Sequence, residues 1–189
     1  MSTIEMSVAA REETGKGVAR KLRRSGVVPA VIYRGGNTPT MITIDPNALT
    51  LAFERSGNPN TLVKLDVNGS TFTCLVREVQ RHPVSGIIRH VDFYEVKEDE
   101  YLTVTVPVQT VGKAAGVSMG GALRLVRREL NVRCLPADIP AVIEADVTPL
   151  EIGKFLKVNQ IPNPKGVEIL FDEKGIFNIA TVIKRRGSK

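Results

Sequence analysis

The stretch Thr61-Leu62-Val63-Lys64-Leu65-Asp66-Val67-Asn68-Gly69-Ser70-Thr71-Phe72-Thr73-Cys74-Leu75-Val76-Arg77-Glu78-Val79 decides the fold class. Two strand-like runs, residues 61–67 and 70–79, flank Asn68-Gly69. An Asn-Gly pair in that position is the strongest two-residue hairpin signal, because both residues tolerate the positive φ that the tight turn demands. Working upstream, residues 41–44 read as a further strand, and residues 27–33 as a buried one. Pro29 lies near the start of that strand, where a missing N–H does least harm. Residues 3–10 alternate weakly and add another strand. Asp45 can cap a helix that begins at Pro46 and runs through Phe53. Downstream, residues 89–96 close the first unit as a strand.

The acidic patch Lys97-Glu98-Asp99-Glu100 follows, and the domain boundary is placed there. Beyond it residues 101–111 alternate strictly, with Leu102, Val104, Val106 and Val108 on one side, as in a half-buried antiparallel strand. Residues 112–121 read as a Gly-rich flexible hairpin or surface loop, and residues 122–135 as one long strand or two. Short β segments are expected at 141–147, 155–158, 167–171 and 176–183, with room for one helical turn at 148–152. Pro136, Pro140, Pro149, Pro162 and Pro164 keep helices short in this half. The expected fold is mainly β with short helices (α+β). It comprises a domain at 1–95 and a second, mainly β domain at 96–189 that ends in a basic tail at 184–189.

With 42% hydrophobic and 24% charged residues, the chain has the composition of a folded globular protein. No run of eighteen apolar residues is present and the N-terminus has no signal-like apolar stretch, so a soluble, intracellular protein with no membrane partner is expected. Cys74 and Cys134 lie far apart in apolar runs and no CxxC occurs, so both are expected to be free buried thiols. The formal charge is +6. Much of that excess sits in residues 11–34, where Arg11, Lys16, Arg20, Lys21, Arg23, Arg24 and Arg34 face only Glu12 and Glu13. Concentrated positive charge of this kind is the footprint of a polyanion partner. Aromatics at 5% and the absence of Trp argue against a protein that reads single-stranded bases mainly by stacking them on aromatic platforms.

Catalysis finds little support. The Gly-rich loop Gly112-Lys113-Ala114-Ala115-Gly116-Val117-Ser118-Met119-Gly120-Gly121 has neither the phosphate-loop nor the dinucleotide order. His82 and His90 lack convergent ligands at a recognised spacing, and Ser85 near His82 has no surrounding nucleophile turn. No enzyme, metal or cofactor is expected. Residues 18–24 favour a short helix after a hinge at Thr14-Gly15-Lys16-Gly17, ended by Ser25-Gly26. On its wheel Val18, Ala19 and Leu22 form the packing side. Lys16, Arg20 and Arg23, flanked by Lys21 and Arg24, make a cation ridge. A merely solvated helix would mix Glu among them.

Three stretches carry a family likeness: G-K-G-V-A-R-K-L-R-R within residues 11–24, V-P-A-V-I-Y at 28–33, and V-Q-R-H-P-V-S-G-I-I-R-H-V-D-F at 79–93. In this order and spacing the chain resembles the bacterial large-subunit ribosomal protein twenty-five, the 5S-rRNA-binding family. E-L-N-V-R-C-L-P-A-D-I-P at 129–140 and A-D-V-T-P-L-E-I-G at 145–153 resemble its long two-domain form, general stress protein Ctc. The resemblance implies a six-stranded antiparallel barrel for residues 1–95 and a structural, non-catalytic role in the large ribosomal subunit of the cytoplasm. It also implies binding, as a monomer within the ribosome, to 5S rRNA in the loop E region from the minor-groove side.

Carried over by position, the RNA-binding set is Arg11, Lys16, Arg20, Lys21, Arg23, Tyr33, Gln80, His90 and Asp92. Arg34 departs from the family by standing where Gly usually follows the Tyr, and would add a phosphate contact. Arg and Lys suit phosphates, which set position. Gln80, His90 and Asp92 offer donors and acceptors for base edges or 2′-hydroxyls. Asp92 has two readings, an acceptor for a base amino or imino group or a partner that holds His90 or an Arg. Tyr33 divides between RNA contact and core packing, and His82 reads as a cap of the turn before Pro83. The alternative function is a stress-linked RNA chaperone that visits ribosomes transiently. The second domain is expected to meet neighbouring ribosomal RNA or protein through its basic segment 124–133 and its tail.

Overall fold

The structure is a computed structural model describing residues 4–35, 38–56, 60–171 and 175–184, so most of the basic tail and Gly36 lie outside the described residues. The chain forms two compact units, divided between Glu100 and Tyr101.

The first unit is a closed six-stranded barrel with the strand order β1-β3-β2-β6-β5-β4. Its strands are β1 (Ile4–Ala10), β2 (Val28–Tyr33), β3 (Thr40–Ile44), β4 (Leu62–Val67), β5 (Ser70–Arg81) and β6 (Ile88–Glu95). Asn68 and Gly69, at φ 53° and 87°, make the β4–β5 turn, and Asp66 Oδ1 accepts the Gly69 N–H at 2.9 Å. The barrel expected from the family is present but is mixed rather than wholly antiparallel. Four pairings are antiparallel, while β1 runs parallel to β4 and β2 parallel to β6. A parallel pair needs a long crossover. The segment from β1 to β4 supplies one through α1 (Lys16–Arg24) and α2 (Pro46–Ser56), and the segment from β2 to β6 passes through α2. Pro29 sits just before the β2–β6 pairing begins at Ala30, so its missing N–H interrupts nothing there. Alternate side chains fill the barrel, with Ala30, Ile42, Val63, Leu65, Cys74, Val91 and Phe93 fully buried. Asp45 caps α2 through Asn47 N–H at 2.9 Å, and the helix continues three residues past Phe53.

The second unit has two sheets, β10-β7-β9-β12 and β11-β13-β8. The first comprises β7 (Leu102–Val111), β9 (Glu129–Cys134), β10 (Ile143–Asp146) and β12 (Val167–Ile169). The second comprises β8 (Gly121–Leu125), β11 (Phe155–Lys157) and β13 (Asn178–Lys184). Residues 122–135 therefore split into two strands in different sheets. The Gly-rich stretch is not a free loop: it winds into α3 (Ala115–Ser118), with Ala114 and Gly116 buried. A Cβ on Gly116 would stand 2.7 Å from the Ile152 backbone nitrogen, and one on Gly121 would stand 2.7 Å from the Gly116 carbonyl oxygen. Here glycine permits close backbone approach rather than motion. The helical turn expected at 148–152 is a turn without helix. Asp146 Oδ1 accepts from Thr148 N–H at 2.8 Å and from its hydroxyl at 2.6 Å, and Ile152 bridges to Val182. Single 3-10 turns at Pro136–Asp138 and Val158–Gln160 were not anticipated. Cys74 and Cys134 are free and buried; burial, with Glu95 adding to it, pushes the Cys74 thiol up to about 12.

Candidate nucleic-acid interface

The cation ridge takes its form from α1, which begins at Lys16, two residues earlier than its pattern suggests. Gly15 precedes it with φ 105° and no side chain caps its N-terminus. Its first turn holds no acid, and its last turn holds Lys21, Arg23 and Arg24. Cations in a last turn favour the helix dipole, while Lys16 in the first turn opposes it. Val18, Ala19 and Leu22 are half-buried and every charged side chain is exposed, so the helix rests on the barrel by a thin apolar edge. Arg23 Nε donates to the Arg89 carbonyl at the start of β6, 3.0 Å away, which ties the helix to that strand. Among the described residues, Lys16, Arg20, Lys21 and Arg24 have no carboxylate partner.

Next to this helix, the strands β2, β6 and β5 present a polar outer face. Val91 and Phe93 of β6 point inward and are fully buried, so His90, Asp92 and Tyr94 point outward. Register sets Tyr33 beside Tyr94, Gln80 opposite His90 and Glu78 opposite Asp92. A bulge between Val76 and Glu78 re-aims this end of β5. The structure thus gathers Tyr33, Gln80, His90 and Asp92 on one surface, with Arg23 bound at its border. Arg11 stands apart, where β1 meets β3. Its Nε donates to the Ile42 carbonyl at 3.2 Å and its Nη1 to the Glu13 carbonyl at 3.0 Å, so part of its donor fork is already used by the fold.

Within the face, His90 Nδ1 lies 2.6 Å from Asp92 Oδ1. The carboxylate only accepts, so it holds the proton on Nδ1 and turns Nε2 outward, as an acceptor when the ring is neutral and a donor when it is charged. Of the two readings for Asp92, the structure displays the one that holds His90. Gln80 Nε2 donates to Glu78 Oε1 at 3.3 Å. Tyr33 meets Tyr94 edge-to-face, with ring centroids 5.8 Å apart and planes at 69°. Its hydroxyl is pushed up by burial first and by Asp92 next, with Arg77 pulling the other way.

Glu78 and Tyr94 were missed at the sequence level. Their signal is the two-residue spacing from Gln80 and from Asp92 along paired strands. Arg34 forms an ion pair within the protein: its Nη2 donates to Glu100 Oε1 at 2.7 Å, and Lys97 approaches the same carboxylate at 3.7 Å. His82 does cap its turn, its Nδ1 accepting from Val84 and Ser85 N–H.

In the second unit the basic segment 124–133 is not one patch. Arg124 and Arg133 belong to different sheets, and the Arg127 and Arg133 guanidiniums lie over the rings of Phe177 and Tyr101 at 3.9 and 5.4 Å. Among the described residues no group of His, Cys, Asp and Glu is arranged to hold a metal ion, and no helix is long and apolar enough to cross a membrane.

The Ribosomal L25p family matches residues 6–93, and the C-terminal domain of ribosomal protein TL5 matches residues 101–186. Relatives named large ribosomal subunit protein bL25 align along most of the chain. The one from Anaeromyxobacter sp. strain K is 43% identical over 166 residues, 88% of this chain and 69% of its own length. That from Moorella thermoacetica is 40% identical over 190 residues, covering 98% and 90%. That from Sorangium cellulosum is 36% identical over 188 residues, covering 99% and 82%. Likeness over both units at this level places the chain in the bL25 family of large-ribosomal-subunit proteins, as a long two-domain member.

Proposed function

We propose that the chain is a structural, non-catalytic constituent of the large ribosomal subunit whose barrel binds 5S rRNA in the loop E region. One observation carries this reading: four exposed α1 cations, without carboxylate partners among the described residues, stand beside a strand face that bears Tyr33, Gln80, His90 and Asp92. Side-by-side cations repel one another, and a phosphate backbone removes that cost while releasing counterions. The strand face adds a different chemistry. Its carboxylates, Asp92 and Glu78, repel phosphate, so the helix takes the backbone while the strands meet donors in a wide, shallow minor groove. His90, with Nδ1 held by Asp92, presents Nε2 to a 2′-hydroxyl or base edge, and Gln80 supplies the adjacent amide.

Filter binding of the full chain to a 5S rRNA transcript tests the proposal. Arg20→Ala is expected to weaken binding by about 1–3 kcal/mol. Equal affinity for 5S rRNA and an unrelated hairpin of the same length would overturn it.

A further inference from the structure

The second unit separates its charges by sheet. The strands of the four-stranded sheet carry Glu129, Glu144, Asp146 and Glu168 against Arg133 alone, a net charge of −3. The strands of the three-stranded sheet carry Arg124, Lys157 and Lys184 with no Asp or Glu, a net charge of +3. Register sets Phe155, Thr181 and Arg124 in one row across β11, β13 and β8. Directly opposed residues of antiparallel strands project to the same face. Ile183, two residues beyond Thr181 and opposite Ala122, shares that face. Phe155 is 52% exposed and Ile183 45%, while the small Thr181 between them is buried, its hydroxyl donating to the Lys154 carbonyl at 2.9 Å. Lys157, two residues from Phe155 on β11, lies on that face too, whereas Lys184 alternates to the opposite face with the buried Val182. Arg124 and Lys157 are exposed and, among the described residues, have no carboxylate partner.

We infer that this face of the three-stranded sheet is a second RNA-binding surface, with Arg124 and Lys157 engaging phosphates and the Phe155 ring taking a base. Unneutralised cations on an acid-free sheet select a polyanion, and an aromatic ring among them suits a base, whose π-face stacks whatever its sequence. A protein partner fits less well, because lysine is depleted at protein interfaces. The inference takes RNA as the partner, as the preceding reading does, but it stands on residues the barrel does not contain.

The test is fluorescence anisotropy of the full chain with a labelled 20-nucleotide oligouridylate. It is run in an Arg20→Ala/Lys21→Ala/Arg24→Ala background that removes most of the barrel's cations. Arg124→Glu with Lys157→Glu is expected to weaken binding about tenfold. It should also flatten the slope of log affinity against log salt by about 1.4, two phosphate contacts on a single strand. Phe155→Ala should weaken binding about fivefold with the slope unchanged. Arg133→Glu with Lys113→Glu applies the same charge change away from this face and should alter affinity less than about twofold.

Unchanged affinity in the sheet variant, or an equal loss in the control, overturns the inference. So does intact oligouridylate binding combined with lost attachment to large subunits, which assigns the face to a protein. If a circular dichroism melt shows that the Glu variant has unfolded, Arg124→Gln with Lys157→Gln carries the same test. The α1 variants measured against 5S rRNA report on the barrel separately, so either surface can fail without the other.

Discussion

In the barrel four cations without a carboxylate partner among the described residues stand together on one helix, whereas in the second unit such cations are spread one to a strand across β8, β11 and β13. The difference lies in how many residues each element must give to the core. α1 rests on the barrel by Val18, Ala19 and Leu22 alone, leaving five of nine positions to Lys and Arg. A strand gives alternate residues to one face, so β8, β11 and β13 hold one cation each. Helical charge is therefore dense and contiguous along the chain. Strand charge is sparse in sequence and gathers only through register. Glycine divides the units in the same way, shaping a hairpin turn at Gly69 and a backbone contact at Gly116.

Four substitutions probe that division. The largest effect is expected from Phe93→Ala, which empties the centre of the barrel and should cost about 3–5 kcal/mol in urea unfolding. Hydrogen exchange resolved by unit should locate the loosening in residues before 100. Gly116→Ala is its counterpart. The added Cβ meets backbone at 2.7 Å and should cost about 1–3 kcal/mol, with faster exchange confined to the second unit. Exchange that spreads evenly over the chain in either variant would erase the distinction.

Lys16→Ala should lower the salt slope of 5S rRNA binding by about one phosphate contact and barely change stability, since the side chain is exposed. The smallest effect belongs to Thr148→Val. Hydrogen bonds from the Thr148 side chain and backbone hold the Asp146 carboxyl below its usual range. That depressed value stabilises the fold above the ordinary carboxylate pKa, and the contribution is lost as pH falls through the folded value. Removing the hydroxyl should move Asp146 back toward about 3.9, read by a carboxyl-carbon NMR titration, and flatten the acid limb of the stability curve.

Legibility followed the same rule of contiguity. The β4–β5 hairpin could be read because its instruction, Asn68-Gly69, is local, and so could the α2 cap at Asp45. The α1 ridge was visible because its cations are neighbours in the chain. By contrast, a Gly-rich run looks like freedom until Ile152 and Val182 come against it from elsewhere in the fold. The expected helical turn at 148–152 gave way because Asp146 binds Thr148 and closes a turn of its own. Arg34 looked available until Glu100, 66 residues away, took it. The pairing of His90 with Asp92 was foreseen as one of two readings, since residues two apart on a strand share a face. Glu78 and Tyr94 needed the strand register. The row through Phe155, Thr181 and Arg124 joins residues from three separate strands, and no linear pattern connects them.

The parallel seam between β1 and β4 also has a consequence for how the chain is made. Residues 4–8 emerge from synthesis well before their partners, residues 63–67. At about 5–20 residues per second, the first strand waits roughly 3–12 s for its neighbour to exist. The β4–β5 hairpin, whose contacts are local, can form as soon as it is synthesised. Sealing the barrel is then a late, long-range event. During that interval the edge of β1 that will face β4 is open to the wrong neighbour, and only the arrival of β4 closes it.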